Sequence, residues 1–188
     1  MFDKIRKALQ QFGRFNEEEL TLFTSKIQVK QLHKNDFLLR EGEICGAIYF
    51  LNSGSQRHFT HTKDGTERTL NLFIENDWVL DYQSFATQKP TKNKIQAFEQ
   101  CEVFEISIHS LHELIAISQK FLQMGKLLEL GLQNTDLYSE LASPEEKYLE
   151  LLTNKPLLVK KFPLKYIASY LKIAPETLSR IRRKTMIS

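Results

Sequence analysis

The chain has two cysteines, Cys45 and Cys101, in 188 residues, and no CxxC pair. That spacing argues against a zinc or iron–sulfur site built from cysteines. Both thiols sit in apolar runs, where small buried hydrophobes are expected. Long apolar runs are missing too: no stretch of about 18 apolar residues is present to cross a membrane. The chain opens on the charged Asp3-Lys4-Ile5-Arg6-Lys7 rather than on an apolar leader, so a cytoplasmic protein with no membrane contact is expected. Internal repeats and low-complexity segments are absent. No phosphate loop or nucleophile–base pairing appears. His58 and His61 are three apart on a predicted strand, and His109 and His112 are three apart on a predicted helix. Neither spacing resembles a cupin-like metal set, so the histidines are expected to be surface groups or satisfied locally. These absences speak against an enzyme, a cupin-type oxygenase or isomerase included.

The charges that are present are unevenly placed. Residues 160–188 carry eight basic side chains against Glu176 alone, a net +7, while the remainder has 18 basic against 22 acidic, a net −4. A positive end on a mildly acidic body is the footprint of a module that binds a polyanion.

Helical spacing of Phe2, Ile5, Leu9 and Phe12 predicts a first helix over residues 2–12. Asn16 and Glu19 form a capping-box pattern for a second, with Leu20, Phe23 and Ile27 on its buried face. From about residue 28 to 107 short apolar runs alternate with turn signals. They are 37–40, 47–51, 56–62, 68–74, 77–80, 94–98 and 102–107, and Lys63-Asp64-Gly65-Thr66 marks a hairpin. This pattern predicts a small antiparallel barrel or sandwich. The stretch 83–93 breaks it with a helical turn and a polar loop.

Ser107 caps a further helix carrying Leu111, Leu114 and Ile115, and a longer helical run is expected from about Ser118 to Leu141. The run has two apolar stripes: Phe121, Met124, Leu128 and Leu132 on one, and Leu127, Leu130, Asn134, Leu137 and Leu141 on the other. The second stripe is spaced as a heptad seam with Asn in an a-type slot, which predicts a parallel homodimer. Ser143-Pro144-Glu145-Glu146 starts the next helix with a cap, a proline at the first position and a glutamate at the third.

The last stretch reads as two short helices joined by a tight turn. Ile167, Leu171, Ile173, Leu178 and Ile181 supply the apolar positions, and Ala168 is small where the helices cross. Thr177, Arg180 and Lys184 fall on the outward face. This is the layout of a helix-turn-helix whose second helix enters a DNA major groove. Lys172 occupies a turn position that favours glycine, and Ala174 cannot cap through its side chain, although Pro175 fits the first helical position.

Three local patterns together resemble the Crp–Fnr superfamily of bacterial transcription regulators. They are Phe37-Leu-Leu-Arg-Glu-Gly-Glu43 followed by Ile48-Tyr-Phe-Leu-Asn-Ser-Gly54, the hairpin Asp64-Gly65-Thr66-Glu67, and the helix pair 162–184. The resemblance implies an α+β protein in three parts. Residues 1–117 would form an antiparallel β-roll like a cyclic-nucleotide-binding domain, with N-terminal helices. Residues 118–141 would be a long dimerisation helix through Leu127, Leu130, Asn134 and Leu137. Residues 142–188 would be a C-terminal helix-turn-helix domain.

By the same resemblance the dimer reads two-fold double-stranded DNA, and contacts or blocks RNA polymerase. Glu176 would accept from a cytosine amino group, Arg180 would fork onto a guanine, and Thr177 would touch a phosphate or a thymine methyl. Arg183 and Lys184 would hold the backbone.

The effector region departs from the pattern. Relatives that bind cyclic AMP carry a Gly-Glu pair and, about ten residues on, an Arg-Ser or Arg-Thr pair. Here Asp81, next to Tyr82, stands for the glutamate, Leu80 takes the glycine position, and Thr91 or Lys92 the arginine position. Without the bidentate guanidinium a cyclic nucleotide is disfavoured as cofactor. The competing reading is a ligand-sensing or protein-interaction module that no longer binds DNA specifically.

Overall fold

The computed structural model describes residues 1–129 and 143–187. Helices α1 (Asp3–Leu9) and α2 (Glu17–Ser25) precede eight strands: β1 (Gln28–Leu32), β2 (Phe37–Leu39), β3 (Ala47–Ser53), β4 (Ser55–His61), β5 (Glu67–Ile74), β6 (Trp78–Val79), β7 (Asn93–Ala97) and β8 (Cys101–Ser107). Helix α3 (Tyr82–Thr87) interrupts them, and α4 (Ile108–Ile117) follows. The strands form two antiparallel four-stranded sheets, ordered β1-β8-β3-β6 and β2-β7-β4-β5, closed face to face into a roll. Phe50, Val103, Phe104 and Ile106 of the first sheet and Phe73, Ile95 and Ala97 of the second belong to one buried core.

Local chemistry sets most of these boundaries. Asn16 accepts from the Glu19 amide at 2.8 Å while Glu19 reaches back to the Asn16 amide at 2.9 Å, a complete capping box. Ser107 accepts from the Ser110 amide at 3.0 Å and starts α4. The β4–β5 hairpin turns at Gly65, whose φ of +81° favours glycine. Strand β1 lacked an apolar alternation in the sequence for a physical reason: it is a mostly exposed edge strand, paired only with β8.

The run expected to be α-helical from Ser118 begins differently. Gln119–Gly125 is a 3₁₀-helix, and α-helix begins at residue 126. With three residues per turn, Phe121, Met124 and Leu127 align on one side. All three are buried, and Phe121 stacks on Phe15 (5.2 Å between ring centroids) and lies 6.2 Å from Phe23. Leu127 therefore packs on the core of its own chain, which corrects its placement in a seam facing a partner. Its burial already stabilises the monomer by about 1.5–3 kcal/mol. Leu130, Asn134, Leu137 and Leu141 lie outside the described residues.

Helix α5 (Pro144–Asn154) starts on the expected Ser143–Glu146 capping box, with bonds of 2.7 and 3.2 Å. Helices α6 (Pro156–Lys161), α7 (Leu164–Tyr170) and α8 (Pro175–Ile187) complete the chain. Tyr148, Leu151, Leu158, Phe162, Ile167, Ala168, Leu171, Leu178 and Ile181 form a second core, which also takes in Leu72 of β5. The α7–α8 turn is a Schellman motif: the Ile173 amide donates to Ala168 O at 3.0 Å and the Lys172 amide to Ser169 O at 3.2 Å. Lys172 stands at its left-handed position with φ +57°. Lys172→Gly is expected to stabilise the chain by up to about 1 kcal/mol, the net of relieved strain and added glycine entropy. A higher urea midpoint at unchanged slope would show it.

Candidate nucleic-acid interface

Pro175 begins α8 with a preset φ, Glu176 sits in its first turn and Lys184 in its last, each charge matched to the helix dipole. Leu178 and Ile181 face inward and are buried. Glu176, Arg180 and Arg183 fall four and then three residues apart on the opposite face, and all three are exposed. With Leu164, Pro175 and Ser179 they line one shallow groove where the start of α7 meets α8. Thr177 is half-buried, and its hydroxyl accepts from Arg180 Nη2 at 3.3 Å, so it braces the arginine. Lys184 is not among the residues that line this groove and pairs with Glu145 of α5 at 3.2 Å. Of the five residues expected to meet DNA, three share the groove, one supports it and one ties α8 to α5. Ser179 was not among the expected residues. It lies three beyond Glu176, a spacing that the helix period would have flagged.

The expected effector residues divide in the same way. Asp81 is 2% exposed and caps α3 by accepting from the Ser84 amide at 2.9 Å. Its Oδ2 accepts from Thr91 Oγ1 at 2.6 Å and Asn93 Nδ2 at 2.8 Å, and His58 Nε2 lies 3.4 Å away. Burial alone would raise this carboxyl. Contacts from His58, Thr91, the Ser84 amide and Asn93 outweigh it and hold the group well below the usual carboxylate range. Asp81 and Thr91 are thus directly bonded.

Tyr82 packs half-buried against the roll core, and burial, with the Asp77 charge adding, pushes its hydroxyl up to about 12. Lys92 is exposed, and its carbonyl accepts from Thr60 Oγ1 at 3.2 Å. His58, Ser84 and Asn93 were missed as members of this cluster. For His58 the signal was strand parity, since Gln56 and His58 alternate with Arg57 and Phe59 on β4. Among the described residues, no group of three or more His, Cys, Asp or Glu could hold a metal, and no helix is long and apolar enough to span a membrane.

Two antiparallel sheets, the capping helix α3 between β6 and β7, and a buried carboxylate at its start define the roll. Residues 29–118 match the family model of the cyclic nucleotide-binding domain. No curated protein matches the chain in sequence. Solved structures share its fold well beyond the roll. FixK2 from Bradyrhizobium japonicum has 15% identity over 86% of this chain and 85% of that chain, with a TM-score of 0.70. The catabolite activator protein of Thermus thermophilus has 22% identity over 92% and 84%, with a TM-score of 0.60. The c-di-GMP responsive global regulator CLP of Xanthomonas campestris has 17% identity over 92% of each chain, with a TM-score of 0.60. At such identities the likeness shows the fold.

In this cyclic-nucleotide-binding-like roll, Asp81→Asn replaces a three-way acceptor by a group that presents donors to donors. A loss of roughly 2–4 kcal/mol of stability at neutral pH is expected. Because the folded carboxyl titrates below the unfolded value, its contribution is complete above about pH 4 and fades as pH falls through the folded pKa. Urea titrations of both proteins along a pH series should therefore converge in acid.

Proposed function

We propose that this chain is a dimeric, sequence-specific DNA-binding transcription regulator of the Crp–Fnr type, with α7 and α8 as its helix-turn-helix. The observation that carries this reading is the exposed face of α8. Glu176, Arg180 and Arg183 share one groove along a helix whose other side is locked to α7. The side chains are those that read base edges: a carboxylate for a cytosine amino group and a guanidinium for guanine O6 and N7. Thr177 holds Arg180 in place before DNA arrives. Arg183 is the backbone contact, and a net +7 over residues 160–188 supplies the salt-dependent attraction. The fold shared with a catabolite activator protein and a global regulator supports the same reading.

The roll is the sensor in this proposal, and its effector is not a cyclic nucleotide held in the family's usual way. Asp81 Oδ2 already accepts from Thr91 and Asn93, with His58 Nε2 3.4 Å away, and Thr91 stands where a phosphate-binding guanidinium is wanted. The dimer seam is assigned to Leu130, Asn134 and Leu137, without Leu127. Sedimentation of the full chain as a dimer at micromolar concentration is the expected result, and a monomer would remove the seam.

Selection of bound DNA from a random pool, with and without candidate effectors, tests the function. A two-fold consensus is expected, and retention of no sequence over bulk DNA would leave the competing interaction-module reading. On the recovered site, Arg180→Ala should weaken binding by roughly 1–3 kcal/mol and relax one base preference. Equal loss on every sequence in a gel-shift titration would remove Arg180 from the base-reading set.

A further inference from the structure

Strand β4 carries two different sets of side chains. Gln56 and His58 point into the roll, where their cross-strand partners on β7 are Ala97 and Ile95 of the core. Arg57 points out of the roll on the other face of the same sheet, opposite Leu72 of β5, which belongs to the core of the helical unit. The helical unit is seated on that outer face. Phe98 packs against Phe162 (5.0 Å between ring centroids) and Tyr166 (6.0 Å). The Thr69 amide of β5 donates to Ser169 Oγ of α7 at 2.9 Å. Lys161 Nζ reaches Glu99 at 2.5 Å.

Arg57 is the unusual member of this contact. It is 5% exposed and pairs with Glu67 through Nη2, while its Nε has no partner among the described residues. Its guanidinium lies between two rings, 3.9 Å from the Phe59 centroid and 4.2 Å from that of Tyr166. Phe59 belongs to the roll and Tyr166 to α7. Burying a charge with an unsatisfied donor is a poor way to gain stability, and an apolar side chain would serve packing better. A flat cation between two ring faces does something packing alone does less well. It fixes the angle between the elements that carry the rings.

We propose that Arg57 is a positioning residue for DNA reading: it seats α7 on the outer face of the second sheet and so fixes the direction in which α8 is presented. The functional consequence rests on the DNA-reading proposal above. A dimer reads two half-sites about one helical turn apart, so a rigidly seated unit accepts one half-site spacing, whereas a loosened one tolerates several. The roll thereby acts on the reading helix directly through β4 and β5, in addition to any path along the segment that follows Gly125.

The test compares wild type with Arg57→Gln and, as the milder change, Ser169→Ala. Each is titrated on the selected operator and on versions with two base pairs added or removed between half-sites. Wild type should lose roughly 30-fold or more in affinity on the altered spacings, and Arg57→Gln less than about fivefold. Arg57→Lys, which keeps the charge without the plane, should behave like Arg57→Gln. An unchanged spacing penalty in folded Arg57→Gln overturns the proposal. If Arg57→Gln does not fold, Ser169→Ala decides by the same criterion.

A second readout needs no DNA. The Thr69 amide should exchange with solvent at least about tenfold faster in Arg57→Gln than in wild type, while core amides of β3 and β8 keep their protection. An unchanged Thr69 rate overturns the seat. If wild type retains no DNA sequence, the function fails on its own and this exchange measurement still judges the seat.

Discussion

Strand β4 is buried on both faces over Ser55–Phe59, and the rest of the architecture is arranged around that fact. An antiparallel sheet commonly turns one face to water, and its strands then alternate between apolar and polar side chains. Here the water-facing side of the second sheet is covered by α7 and by Phe162. The sheet is therefore the middle layer of the molecule, with the roll core beneath it and the helical unit above. Two of its polar side chains lie on opposite sides, Arg57 with Glu67 and two rings on one and His58 near Asp81 on the other.

The Asp81 cluster is a closed set of polar contacts inside the roll. A carboxylate starts α3, and Thr91 and Asn93 turn inward to bond it. The same bonds offset the cost of burying the charge, so the cluster holds α3 against the β7 approach as a structural tie.

Much of the fold was legible because its signals are local. The Asn16–Glu19 and Ser143–Glu146 capping boxes, the Ser107 cap, the Gly65 hairpin and the left-handed Lys172 each depend on side chains within a few residues of one another. The α8 face was legible only in part: of Thr177, Arg180 and Lys184, expected to face outward together, Arg180 lines the groove, Thr177 is half-buried behind it, and Lys184 pairs with Glu145. Strand β1 was not legible, because an exposed edge strand needs no apolar alternation. Leu127 was misplaced because two residue periods fit it. The heptad spacing assigns it to a partner, and the three-residue turn that precedes it assigns it to its own core.

By itself, the sequence determined most of the elements, the capping boxes at Asn16 and Ser143, the place of Ala168 in the core of the α7–α8 pair, and the net +7 of residues 160–188. Tertiary structure alone decided that Leu127 is buried in the monomer, that Thr91 and Asn93 close on Asp81, and that Arg57 lies beneath Tyr166. The last two involve partners from 10 to 109 residues apart, and all three depend on how sheets and helices stack. No periodicity encodes that stacking. It follows from which faces remain uncovered once each element has formed, and those faces find one another only in the folded chain.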